Sequence, residues 1–106
     1  MTEVGRTERD FVSEPIVVHP PSEIDPLTAP QLDAALAACD PAGDTRVAFG
    51  DVTFCDSSGL RVLVTHSLRH LDAGGTFSLT DVLPAVRRVF EITGTVDTLG
   101  IGPPPE

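Results

Sequence analysis

One hundred and six residues, 41% of them hydrophobic, suffice for one domain with one buried core and no covalent staples. Sixteen acidic against seven basic residues leave a formal charge of −9, and every basic residue is Arg. This balance argues against nucleic acid as a partner, and the absence of Lys removes Walker-type phosphate lysines and Schiff-base chemistry.

No apolar run approaches the roughly 18 residues of a membrane span, and the opening MTEVGRTERD lacks the apolar segment of a secretory signal. A soluble, cytoplasmic protein with no membrane association is expected. Residues 1–13 read as a polar arm that contributes at most a short edge strand near Asp10 to Ser13. Ile16 to His19 is a β-branched run stopped by Pro20 and Pro21, which predicts a strand.

Leu32, Ala35, Leu36 and Cys39 recur at helical spacing, predicting a first helix over Leu27 to Asp40 with Thr28 as its cap and Pro30 in its first turn. The turn Asp40 to Asp44 leads into a second strand, Arg46 to Phe49. Val52 to Cys55 reads as an apolar connection. A second helix over Ser57 to Asp72 is expected to bury Leu60, Leu63, Val64, Ser67, Leu68 and Leu71, with Arg61, His66, Arg69 and His70 on other faces.

His19, His66 and His70 are read as surface residues. Gly74 and Gly75 end the second helix, Thr76 to Leu79 alternates as a third strand, and Pro84 opens a third helix with Val86, Val89, Phe90 and Ile92 inward. A short strand is expected at Thr98 to Ile101, followed by a proline-rich tail over 102–106. Strands alternating with helices of this length imply crossover connections, hence an α/β fold with a mostly parallel sheet.

Cys39 and Cys55 have no metal-ligand spacing and sit among apolar neighbours, so buried free thiols are favoured over zinc or a structural disulfide. A redox pair requires Cα atoms within about 7 Å. No cofactor is expected, and without a glycine-rich phosphate loop nucleotide binding has no support.

The stretch Val52-Thr53-Phe54-Cys55-Asp56-Ser57-Ser58-Gly59-Leu60-Arg61-Val62-Leu63 holds the chemistry. One reading makes Asp56, Ser57 and Ser58 helix caps for orphan N–H groups, with Gly59 permitting close packing. Another makes Ser57 a phosphorylation switch, since a helix start tolerates a phosphoryl group. A hydrolase elbow is disfavoured because Cys55 replaces its first glycine and no histidine is placed to act as base. A receiver-type phosphoacceptor at Asp51 or Asp56 lacks the lysine that chemistry uses.

From Ile16 to Ile101 the chain resembles the STAS domains of bacterial anti-sigma factor antagonists. Ser22-Glu23-Ile24-Asp25 with Thr28-Ala29-Pro30 is similar to the family's G-E-[IL]-D turn and helix start. Val52 to Leu63 is similar to its V-x-F-[ILM]-D-S-S-G-L-x-x-L signature, and Leu83 to Phe90 with Thr93-Gly94 to its later P-x-V-x-R-x-[FL] helix. The resemblance places a STAS domain over 14–101.

The resemblance implies a non-enzymatic role. Such an antagonist binds an anti-sigma factor that is a GHKL-type serine kinase, and so releases a sigma factor to direct transcription. The kinase phosphorylates the first serine of D-S-S-G, Ser57 here, and a PP2C-type phosphatase reverses this. By the same resemblance Asp25, Asp56, Ser57, Ser58 and Gly59 form the partner-binding surface. Two departures stand out: Ser22 replaces the motif glycine after two prolines, and the chain ends on Gly102-Pro103-Pro104-Pro105-Glu106 where the family often adds a helix. A sheet face left bare there would invite a partner or a homodimer. A STAS scaffold or sensor subunit of another signalling or transport complex is the alternative.

Overall fold

The computed structural model describes residues 14–102. The expected arm over 1–13 and the tail residues 103–106 lie outside the described residues. In chain order the elements are β1 (Ile16–Val18), β2 (Glu23–Ile24), α1 (Ala29–Ala37), β3 (Asp44–Ala48), β4 (Phe54–Cys55), α2 (Ser57–Ala73), β5 (Thr76–Thr80) and α3 (Pro84–Thr93).

Every strand pairing among the described residues is parallel. β3 lies between β1 and β5, with Ile16 opposite Thr45 and Asp44 opposite Thr76, while β2 pairs with β4, placing Ile24 opposite Cys55. Parallel neighbours need crossovers, and the helices supply them. α1 packs on α2, α2 on β5, and α3 against β4. The α/β class read from the element order is therefore what the chain adopts, with three helices and a small parallel sheet.

Strand interiors alternate as a half-covered sheet should: Thr45 and Val47 of β3 and Phe77 and Leu79 of β5 point into the core. Leu32 and Leu36 of α1, Leu63 of α2 and Val86 and Phe90 of α3 close it, with Phe49 and Phe90 in edge contact at 5.9 Å between centroids. Burying each such side chain contributes about 1.5–3 kcal/mol.

Several local expectations need correction. α1 is shorter than the predicted 27–40, because Asp25 to Thr28 forms a separate turn that leaves Leu27 87% exposed. No strand forms at Thr98 to Ile101. Leu99 and Ile101 are buried there through a turn, with Leu99 N–H donating to Thr95 O at 3.0 Å and Ile101 N–H to Val96 O at 3.1 Å. Ile92 is 77% exposed instead of facing inward.

The largest correction concerns α2. His66 and His70, expected on the surface, are buried, whereas Leu68 and Leu71 are 48% and 71% exposed. Both rings are fully partnered, which is what makes their burial affordable in free energy. His70 Nδ1 lies 2.8 Å from the His66 carbonyl, which can only accept, so Nδ1–H donates there, while Nε2 is hydrogen-bonded to Thr45 Oγ1 at 2.9 Å. His66 Nδ1 accepts from Arg69 at 2.8 Å, leaving Nε2–H to donate to Asp33 at 2.6 Å, which ties α2 to α1.

Candidate functional site

The register of β2 and β4 builds the site. Ile24 faces Cys55, and Asp56 N–H donates to Ile24 O at 3.1 Å, so the next residues, Asp25 and Asp56, leave the sheet side by side at its carboxyl edge. Open parallel sheets place their working groups at that edge, because loops and helix starts converge there. Ser22, where the family motif has glycine, is tied into the same unit, its carbonyl accepting from Thr53 N–H at 2.8 Å.

Asp56 is the N-cap of α2. Its backbone is extended (φ −100°, ψ −168°), and its Oδ1 accepts from Ser58 N–H at 2.9 Å and Gly59 N–H at 3.3 Å. Two orphan donors of the first turn are thus satisfied by one carboxylate. Asp56→Ala is expected to cost about 1 kcal/mol, seen as a lower urea midpoint at unchanged slope, with Asp56→Asn retaining most of the stability.

Asp25 does parallel work one strand over. Its Oδ1 accepts from Leu27 N–H at 2.9 Å and Thr28 N–H at 3.0 Å. The Thr28 N–H is the main cause holding the Asp25 carboxyl below its ordinary value of 3.8, against a desolvation that alone would raise it, with Leu27 N–H adding to the lowering. Thr28 does sit at the N-cap of α1, but its hydroxyl makes no cap bond. It donates to Glu23 O at 2.7 Å and accepts from Asp25 N–H at 3.0 Å, locking the turn. An Asp followed three residues later by Thr is the local sequence signature of this clamp.

Ser57 is the first residue of α2 and is exposed, and among the described residues its hydroxyl has no hydrogen-bond partner. Ser58 is half-buried. Gly59 is fully covered: a Cβ there would stand 2.5 Å from Ile24 Cγ2 and 2.7 Å from Cys55 Sγ. Of the five residues expected to form the surface, Asp25, Asp56, Ser57 and Ser58 reach it, while Gly59 shapes it from beneath. A cavity of about 590 Å³ between β5 and α3, lined by Asp81, Leu83, Arg87 and Gly102 among others, contains none of the five.

Cys39 and Cys55 are both free thiols. Burial, and secondarily the Asp56 carboxylate, pushes the Cys55 thiol up to about 12. At pH 8 the Cys55 thiol is then almost wholly protonated and unreactive. Titration of the native chain with a thiol-reactive disulfide at that pH is expected to modify Cys39 and to reach Cys55 only on unfolding.

The three signature stretches can now be set beside known proteins. A family model described as "Mlab, STAS domain" matches residues 7–100. A Bacillus subtilis (strain 168) protein named "Anti-sigma-B factor antagonist" is 34% identical over 87 residues, covering 81% of this chain and 80% of its own length. The Bordetella bronchiseptica protein named "Putative anti-sigma factor antagonist BtrV" is 43% identical over 70 residues, which is 62% of this chain and 59% of that one. With a parallel-sheet fold, a capped Asp-Ser-Ser-Gly helix start and a family match over nearly its whole length, the chain belongs to the STAS domain family.

Proposed function

We propose that this chain is an anti-sigma factor antagonist: a binding module that captures an anti-sigma factor with serine kinase activity, frees the bound sigma factor, and is released when Ser57 is phosphorylated. The observation that carries the reading is the exposed hydroxyl of Ser57 at the mouth of α2, without a hydrogen-bond partner among the described residues and directly after the Asp56 cap. The names of the two relatives support the general role. The chain performs no catalysis in this scheme.

In the transfer step Ser57 Oγ attacks the γ-phosphorus of ATP held by the kinase, ADP leaves with the bridging oxygen, and the hydroxyl proton passes to a base of the kinase. A PP2C-type phosphatase returns the serine by hydrolysis. Phosphorylation adds roughly −1.5 to −2 charges beside Asp25 and Asp56. Because Asp56 already occupies the N–H groups of Ser58 and Gly59, the new charge is presented outward to the partner. A surface docked there must then face an acidic cluster enlarged by a dianion.

The test is calorimetric binding of Ser57→Ala and Ser57→Asp chains to candidate anti-sigma kinases, with phosphosite mapping of the parent chain after incubation with each kinase and ATP. Ser57→Ala is expected to bind like the parent and resist modification, and Ser57→Asp to bind about tenfold or more weakly. Equal affinity of the two variants for a kinase that modifies the parent elsewhere would sink the proposal. The exposed Leu68 and Leu71, on a stretch of α2 well past its first turn, favour the alternative of a scaffold subunit in a signalling or transport complex. That reading predicts loss of assembly on Leu71→Ser with no effect of Ser57→Asp.

A further inference from the structure

Positions 57 and 61 are one helical turn apart on α2, so their side chains leave adjacent points of one face with Cβ atoms about 5–6 Å apart. Both residues are exposed. Residues 57–64 form the first two turns of α2, and Arg61 is their one charged residue. Among the described residues it has no ion-pair partner, whereas Arg46 is held by Asp44 at 3.1 Å, Arg87 by Glu91 at 2.9 Å, and Arg69 donates to His66 at 2.8 Å.

A phosphoryl group on Ser57 cannot settle on the helix N–H groups of Ser58 and Gly59 without displacing Asp56 from its cap. The N–H groups of Leu27 and Thr28 are likewise taken, both donating to Asp25 Oδ1. The charged donor at the spacing of a helical neighbour is the guanidinium one turn along. A planar fork matches two phosphoryl oxygens, and an anion on the N-terminal side of a cation at this spacing is the favourable order in a helix.

We propose that Arg61 is the internal receptor of the phosphoryl group on Ser57, donating to two of its oxygens and pinning it over the first turn of α2. The inference rests on the reading of Ser57 as the acceptor. Its consequence is a two-part switch. The unmodified chain offers its partner a cation with no ion-pair partner among the described residues, beside a neutral hydroxyl. The phosphorylated chain adds a dianion and withdraws that cation at the same time.

The test installs phosphoserine at position 57 during translation, so that no kinase is needed, and follows the phosphate by ³¹P resonance as pH is varied. The pairing stabilises the dianion, so Arg61→Gln is expected to raise the midpoint of the second ionisation by about 0.3 unit. Arg61→Lys should recover part of the shift, and Arg88→Gln, an exposed arginine on α3, should leave the midpoint where it was. The Nε–H resonance of Arg61 is expected to move on phosphorylation. Identical midpoints in the Arg61→Gln and parent chains overturn the role of Arg61 and leave the acceptor reading standing. A phosphoserine chain that binds its kinase as tightly as the unmodified one overturns the acceptor reading whatever Arg61 does.

Discussion

Gly75→Ala is expected to destabilise the fold by about 3 kcal/mol. A Cβ at Gly75 would collide with the carbonyl oxygens of Pro41 and Gly43 and stand 2.8 Å from Ala42 C, all of them backbone atoms. No rotamer change relieves such contacts. The approach is forced by topology, since Thr76 N–H donates to Gly43 O at 2.9 Å and Asp44 pairs with Thr76 to begin the β3–β5 ladder. An added methyl must therefore pry apart the central strand pair at its first rung. For a domain of this size that corresponds to a fall in Tm of roughly 10–20 °C by scanning calorimetry. Gly74→Ala is the informative control. Its φ of 84° carries a left-handed penalty of about 1 kcal/mol, but nothing lies within 4 Å of its Cβ position. A Gly75→Ala chain no less stable than Gly74→Ala would contradict the packing argument.

Gly59→Ala is expected to cost about 2 kcal/mol, less than Gly75→Ala because here the obstructing atoms belong to side chains. Ile24 Cγ2 at 2.5 Å and Cys55 Sγ at 2.7 Å are nonetheless buried and close-packed, so α2 must lift from β2 and β4 to admit the methyl. Lifting that end of α2 also moves Ser57 and loosens the bonds from Asp56 to the first turn. Partner affinity is thus expected to fall even at temperatures where the variant stays folded. In the Gly59→Ala background, Cys55→Ala removes one of the two obstacles and is expected to restore about 1 kcal/mol, whereas in the parent chain the same change only opens a small void. A double-mutant cycle in denaturant measures the coupling. Strictly additive effects would show that the glycine is required for some reason other than contact with the sulfur.

The contrast between these glycines shows how the site is built. Asp-Ser-Ser-Gly has the look of a docking surface, and three of its four residues are at least partly accessible. The glycine is there for the core. It lets a helix start press onto two very short strands, and that contact aims Ser57 outward.

Much of this was legible from local order along the chain. The α/β class, the three helices, strands near Ile16, Val47 and Phe77, the Asp56 cap and the glycine stop at Gly74 all follow from periodicity and capping chemistry, which act over a turn or two. What the tertiary structure decided lies beyond that range. β2 and β4 are two residues each, too short to show alternation, and exist because they pair with one another. The inner face of α2 is chosen by partners 25 and 33 positions away, Thr45 for His70 and Asp33 for His66, and a hydrophobicity pattern ranks those rings as surface because it cannot see their bonds satisfied. The same nonlocal pairing sets Asp25 beside Asp56. Residue types and their spacing determined which groups were candidates, and the register of two parallel strands determined that Asp25 and Asp56 leave the sheet side by side, Asp56 directly before the exposed Ser57.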